Sequence, residues 1–233
     1  MENEEHLTIM ANAGKCNGTR SVKSASQYKE RDYWENRFKT EEGYEWLCKY
    51  KDIKDYICRD VNVHDRILIL GCGNSRFSAD LHNSGFKYVT SVDFSSVVID
   101  AMRKKYVASH PSLQWIVADV RDMKEIEDDT FDVVIDKACL DALVCDEGDP
   151  WSPNEQTKKD VEATVCSVVR VLKRQGNATF ISIGFQQPHF RKRYLLSDSG
   201  KYGWEKNVET FTINIGIGYF YTRCKLHLND MTD

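Results

Sequence analysis

Four aliphatic residues in a row, Ile67, Leu68, Ile69 and Leu70, run directly into Gly71-Cys72-Gly73-Asn74-Ser75. A strand with no polar alternation is buried on both faces, as in the centre of a parallel sheet covered by helices on each side. Glycines after it let the backbone approach a ligand closely, at the strand end where open α/β sheets bind cofactors. Taken alone, the turn is equally compatible with no ligand. Position 76 is Arg where a dinucleotide fingerprint has a third glycine, which lowers the NAD reading.

The rest of the chain alternates in the same way. β-rich runs fall at 66–70, 88–92, 113–117, 131–135 and 177–183, separated by amphipathic segments. One segment carries Val97, Val98, Ala101 and Met102; a longer one carries Val161, Val165, Val168 and Leu172. Lys173 and Arg174 suit the carbonyl end of that longer helix, and Gly176 suits a left-handed cap. Two further runs, 208–215 and 219–228, are joined only by Gly216-Ile217-Gly218, so they must be antiparallel. The prediction is an α/β, Rossmann-like sheet of seven strands: five parallel, then an antiparallel C-terminal hairpin, with helices on both faces.

Every Trp, Tyr and Phe falls at or after Tyr28, which predicts a flexible tail over 1–27 and one folded domain over 28–233. Within it, 28–60 reads as two leading helices. Tyr33, Trp34, Arg37 and Phe38 stand at helical spacing, and Trp46, Tyr50, Ile53 and Ile57 form a second stripe. The bland expectation for these aromatics is core packing. With 32 basic and 36 acidic side chains among 233 residues the net charge is −4, which disfavours a general nucleic-acid binder. No membrane span or signal peptide is legible, and the eight Cys show no zinc spacing. A cytoplasmic protein with reduced thiols and no metal is expected.

Asp93 closes the second strand about 20 residues after Gly71, the offset at which a carboxylate accepts from two ribose hydroxyls. Capping the next helix is its alternative role, although Ser95 and Ser96 can also cap. Asp119, after the third strand, can accept from an adenine amine while the Val120 amide faces a ring nitrogen. Asp136, Lys137 and Asp141 place two carboxylates and an ammonium beside the crevice; individually each reads as a solvated loop residue.

Several motifs occur together and in order: Tyr33-Trp-Glu-Asn-Arg-Phe38, Leu70-Gly-Cys-Gly-Asn-Ser75, Ser91-Val-Asp-Phe-Ser-Ser-Val-Val98, Phe131-Asp-Val-Val-Ile-Asp-Lys137, Leu140-Asp-Ala-Leu143, Asp149-Pro-Trp151 and Pro188-His-Phe-Arg191. Over Tyr28 to Leu228 the chain thereby resembles the class I S-adenosylmethionine-dependent methyltransferases of the methyltransferase-like 13 group. The resemblance implies S-adenosylmethionine as cofactor, S-adenosylhomocysteine as product, and lysine N-methylation of elongation factor 1-alpha. It implies that Trp34, Phe38 and Trp46 form a lid, with the turn of Gly71, Gly73 and Asn74 also on the cofactor. Gly71 and Lys137 take the methionine end, Asp93 and Phe94 the ribose and adenine, and Asp119 and Val120 the adenine edge. Two positions depart from the pattern: Ile69 replaces an acid common in class I enzymes, and Ala138-Cys139 replaces Gly-Thr.

Methyl transfer from a sulfonium is an in-line displacement, so catalysis rests on alignment. Asp136 and Asp141 are the candidates for drawing in and orienting an acceptor lysine; no general base is identifiable. Arg191-Lys192-Arg193 can meet an acidic protein surface or be merely solvated. The alternatives are a small-molecule methyltransferase, a non-catalytic S-adenosylmethionine-binding module and, disfavoured by charge and motif, a nucleic-acid enzyme.

Overall fold

The aliphatic run forms β1 (Arg66–Leu70), with only Arg66 exposed. The computed structural model, which describes residues 25–176, 178–216 and 218–226, sets β1 inside a seven-stranded sheet. Its side chains alternate between two cores. Ile67 and Ile69 pack with α2 (Tyr50–Asp60), α3 (Phe77–Asn83) and α4 (Ser96–Tyr106). Leu68 and Leu70 pack with α5 (Cys139–Leu143), α6 (Glu155–Val171) and α7 (Pro188–Leu195).

The other strands are β2 (Tyr88–Asp93), β3 (Gln114–Val117), β4 (Val133–Lys137), β5 (Thr179–Gly184), β6 (Val208–Ile213) and β7 (Tyr219–Lys225). They lie in the order β3-β2-β1-β4-β5-β7-β6. Strands β1 to β5 are parallel; β7 runs antiparallel to β5 and to β6. Chain order reverses beside β1, between β2 on one side and β4 on the other, which opens a crevice above the carboxyl ends of both. This is the predicted seven-stranded α/β architecture.

The helices are ended by local chemistry. Ser95 accepts from the Val98 amide (3.3 Å) to start α4, whose last turn holds Arg103, Lys104 and Lys105. Asn154 accepts from the Thr157 amide (2.8 Å) to start α6, whose Val161, Val165, Val168 and Val171 are wholly buried.

Four of the differences from expectation have a visible local cause. The strand expected at 131–135 is Val133–Lys137, because Phe131 makes only an isolated bridge to Leu172. That bridge pulls Leu172 into extended conformation and ends α6 without a glycine cap; Lys173 pairs instead with Asp132 (2.7 Å), and Gly176 turns beyond the helix. Trp46 stands outside its expected helix, which begins at Tyr50 after the Lys49 amide donates to Asp52 Oδ2 (2.9 Å). Finally, most of the expected tail, residues 1–24, lies outside the described residues, but the boundary at Gln27 is too late. Ala25–Lys29 form a 3-10 turn with Ala25 and Tyr28 buried, and the Cys145 thiol donates to the Ala25 carbonyl (2.9 Å).

Trp204 is the largest fully buried side chain. Its ring stacks on Phe180 (5.7 Å) and its Nε1 donates to the Leu195 carbonyl (2.8 Å). Trp204→Ala is expected to lower unfolding free energy in urea by about 3 to 5 kcal/mol, and Trp204→Phe by less, because only the latter keeps the cavity mostly filled.

Candidate active site

The glycine turn makes the floor of the crevice. Gly71 and Gly73 have φ of +52° and +50°, a region L side chains enter at a cost. A Cβ on Gly71 would also lie 2.6 Å from Cys139 Sγ, so the turn can pass α5 only without a side chain. The Gly73 amide donates to Asp93 Oδ2 (2.9 Å) and the Ser95 amide to Oδ1 (3.0 Å). Asp93 therefore braces the loop while Ser95 does the capping. Burial pushes the Asp93 carboxyl up to about 6 although both amide bonds pull it down. Each oxygen keeps a further acceptor site, and the residue lines the crevice.

Over this floor lies an aromatic cover. α1 (Arg31–Phe38) crosses above the strand ends, with Trp34 stacked on Phe38 (5.5 Å) and in edge contact with Trp46 (6.0 Å). Phe38 closes over Gly73, its ring within ordinary contact (3.6 Å) of where a Cβ would stand. Trp34 Nε1 donates to the Tyr28 carbonyl (2.7 Å), and Arg31 sits over the Phe94 ring (5.1 Å). Trp46 is aimed by a tight turn: the Cys48 amide donates to the Trp46 carbonyl (2.9 Å) around Leu47 at φ +64°. A γ-turn of this hand at a non-glycine residue is strained.

Asn74, expected on the cofactor, also fastens this cover. Its Nδ2 donates to the Glu41 carbonyl and to Glu41 Oε2 (both 3.0 Å), and its Oδ1 accepts from the Tyr44 amide (3.0 Å). Glu41 in turn holds Arg37, whose guanidinium lies over Trp34, Tyr44 and Trp46. Lys137 is buried and donates to the Trp46 carbonyl (2.9 Å). All eleven residues expected at the cofactor, from Trp34 to Lys137, line one cleft of about 1280 Å³, counting space open to solvent.

The acceptor candidates fare differently. Asp136 does not line the cleft: it is wholly buried, accepting from Ser182 Oγ (2.7 Å) and the Leu140 amide (3.0 Å), so it organises α5 rather than meeting an acceptor. Burial raises its carboxyl. Asp141 does line the cleft, but its charge is met by the buried Arg191 and its Oδ2 accepts from the Phe185 amide (3.2 Å). Burial pushes it up to about 6 against the pull of Arg191. The basic triplet is consequently not a free positive surface. Arg191 is inside, and Arg193 donates to the carbonyls of Pro150 (2.6 Å) and Trp151 (2.7 Å). Asp119 lines the cleft, yet both its oxygens accept from Arg121 (3.0 and 2.7 Å), which keeps the carboxyl low despite burial. Ala138 sits at φ +71°, a left-handed position that glycine takes without a Cβ penalty.

Sequence reasoning missed Tyr28, Tyr44, Phe185, Arg121 and Cys139, which also line the cleft. Phe185 follows β5 directly, a position where strand ends supply ligand contacts, and Arg121 stands two residues from Asp119, so both had a signal. Glu41 and Glu45 had none, since they sit in a segment without helix or strand.

The cleft fits S-adenosylmethionine: two side-chain-free positions beneath an aromatic cover, and a buried carboxylate with spare acceptor capacity where the fold places ribose. Fold and cleft define a class I methyltransferase, and the comparisons agree. A methyltransferase-domain family model matches residues 68–180. Magnesium protoporphyrin IX methyltransferase from Synechocystis PCC 6803, solved with bound SAM, superposes with a TM-score of 0.56 at 14% identity, covering 90% of this chain and 100% of that one. EEF1A lysine methyltransferase 4 of Bos taurus is 39% identical over 187 residues, 79% of this chain and 71% of that protein. The eEF1A lysine and N-terminal methyltransferase homolog of Drosophila melanogaster is 31% identical over 72% of this chain and 24% of its own length. The chain belongs to the family of S-adenosylmethionine-dependent methyltransferases that includes EEF1A lysine methyltransferase 4.

Two outcomes are expected. Between pH 3.8 and about 6 the folded protein holds on Asp93 a proton that the unfolded chain has released, so this group's contribution to stability falls as pH rises through that window. Ribose hydroxyls donate to the charged form, so affinity for S-adenosylhomocysteine should rise with pH around a midpoint near 6, and calorimetric titration of Asp93→Asn should lack that midpoint. Separately, Ala138→Gly should raise unfolding free energy by about 0.5 to 1 kcal/mol in chemical denaturation, because the left-handed position no longer carries a Cβ.

Proposed function

We propose that the chain methylates a lysine of an elongation factor 1-alpha type protein in the cytoplasm, through one methyltransferase domain that takes in Ala25–Lys29; of the expected 28–60 cover, α1 and the segment leading to Cys48 lie over the cleft, whereas α2 packs in the core. The carrying observation is the 39% identity to EEF1A lysine methyltransferase 4 over 71% of that protein. S-adenosylmethionine, when bound, supplies a methyl group activated by its sulfonium. In this reading each residue of the cleft has a role. Asp93 accepts from the ribose, Phe94 and Val120 border the adenine, and Gly71 leaves room at the methionine end. Trp34, Phe38 and Trp46 exclude water and fix the cofactor's attitude, which is what an in-line displacement requires.

An acceptor ammonium, with pKa about 10.4 in water, must lose its proton before it can attack. The apolar wall of Tyr28, Trp46 and Phe185 favours the neutral amine. Asp141, already met by Arg191, holds the α5 and β5 ends together beside that entrance.

Purified chain incubated with elongation factor 1-alpha and methyl-labelled S-adenosylmethionine should place label on a lysine, located by peptide mass spectrometry. Label only in small molecules from a lysate would favour the small-molecule reading. Cofactor binding with no transfer to any fraction would favour a non-catalytic module.

A further inference from the structure

The segment between α1 and α2 contains no helix or strand, yet it carries Tyr44, Trp46 and Leu47 into the cleft wall. Backbone ladders do not hold it; side-chain bonds do, one set through Asn74 to Glu41 and Tyr44 and another through the carboxylate of Glu45. Glu45 Oε2 accepts from Ser75 Oγ (2.8 Å), Oε1 accepts from the Arg76 amide (2.5 Å), and Lys137 Nζ lies 3.5 Å from Oε2. Lys137 also donates to the carbonyl that closes the strained turn at Leu47. Glu45 thus connects the glycine loop, the end of β4 and the cover, without itself lining the cleft. The pair is largely removed from solvent, with side-chain exposures of 5% for Lys137 and 19% for Glu45, so screening weakens it little. Glu45 is the carboxylate paired with Lys137, at 3.5 Å, at this end of the cleft.

We propose that Glu45 is a positioning residue for cofactor binding: it fastens the Tyr44 to Cys48 segment onto the glycine loop and Lys137, and so sets Trp46 over the cleft. The proposal rests on the cleft being the S-adenosylmethionine site. The alternative is that Glu45 contributes to folding alone.

The test compares wild type, Glu45→Gln and Glu45→Ala by calorimetric titration with S-adenosylhomocysteine, thermal melting without cofactor, and steady-state kinetics. Failure of the wild type to bind would refute the cleft reading itself rather than the role of Glu45. If Glu45 positions the cover, Glu45→Ala should weaken binding roughly tenfold or more, because three bonds to the loop and Lys137 are lost together. KM for S-adenosylmethionine should rise more than kcat falls, the cofactor-free melting temperature should fall modestly because buried Lys137 loses its partner, and faster amide exchange should be confined to residues 40–49 and 73–77. Glu45→Gln, which retains one acceptor oxygen but not the charge, should fall between the two, and it carries the test if the alanine variant does not fold. In a cycle with Lys137→Met the double variant should lose no more affinity than the worse single one. Unchanged affinity in Glu45→Ala, a fall in melting temperature with KM unmoved, or additive losses in the cycle would each overturn the proposal.

Discussion

One buried carboxylate joins the ends of two strands. Asp93 receives the Gly73 amide on one oxygen and the Ser95 amide on the other, so the loop leaving β1 and the turn leaving β2 share a single brace. It acts together with the Cys72 amide, which donates to the Val92 carbonyl, to fix a turn with two left-handed glycines, residues that give up more backbone freedom on ordering than any other. The brace sits at the reversal in strand order, where the sheet's own connectivity opens a crevice. Loop shape and ligand-facing charge are therefore set by the same atoms.

Burial then sorts the remaining charged groups by role. Asp136 and Asp141 sit within a few residues of each other at one strand end, and both are wholly enclosed, yet they are satisfied differently. Asp136 is met by a hydroxyl and a helix amide, Asp141 by a guanidinium and a strand-end amide. Removing either partner of the Asp141–Arg191 pair would strand a charge in the interior, which costs far more than the pair contributes intact. These acids tie α5 and α7 to the sheet, and the cleft inherits its outline from them.

The sheet was legible because its signals are local and repeated. An unbroken aliphatic strand, five β-rich runs at helix-sized intervals and a glycine-bounded hairpin leave few topologies open. The residues of the cleft floor were legible for a related reason, since a strand end followed by glycine or an acid is itself a position in the fold. What sequence did not reveal depended on side chains finding partners across long separations. Trp46 reads as the first turn of a helix because its spacing to Tyr50 is helical; only the bond from Lys137, 91 residues away, shows what holds it outside. The triplet Arg191-Lys192-Arg193 reads as a basic surface because periodicity says nothing about which guanidinium meets Asp141. Asp119 looks available until Arg121 is seen to occupy it.

The cover has a temporal consequence. Residues 39 to 49 make contact with the loop and with Lys137 through side chains and isolated amides, and α1 and α2 flank them intact. Lifting this segment breaks no helix and separates no strand, but it withdraws Cys48 and Leu47 from core contacts and Trp46 from its aromatic neighbours, so the barrier is local packing and a handful of hydrogen bonds rather than a unit of secondary structure. Motions of that kind belong to the microsecond to millisecond range. Exchange of spent for fresh cofactor can accordingly proceed while every strand of the sheet stays paired.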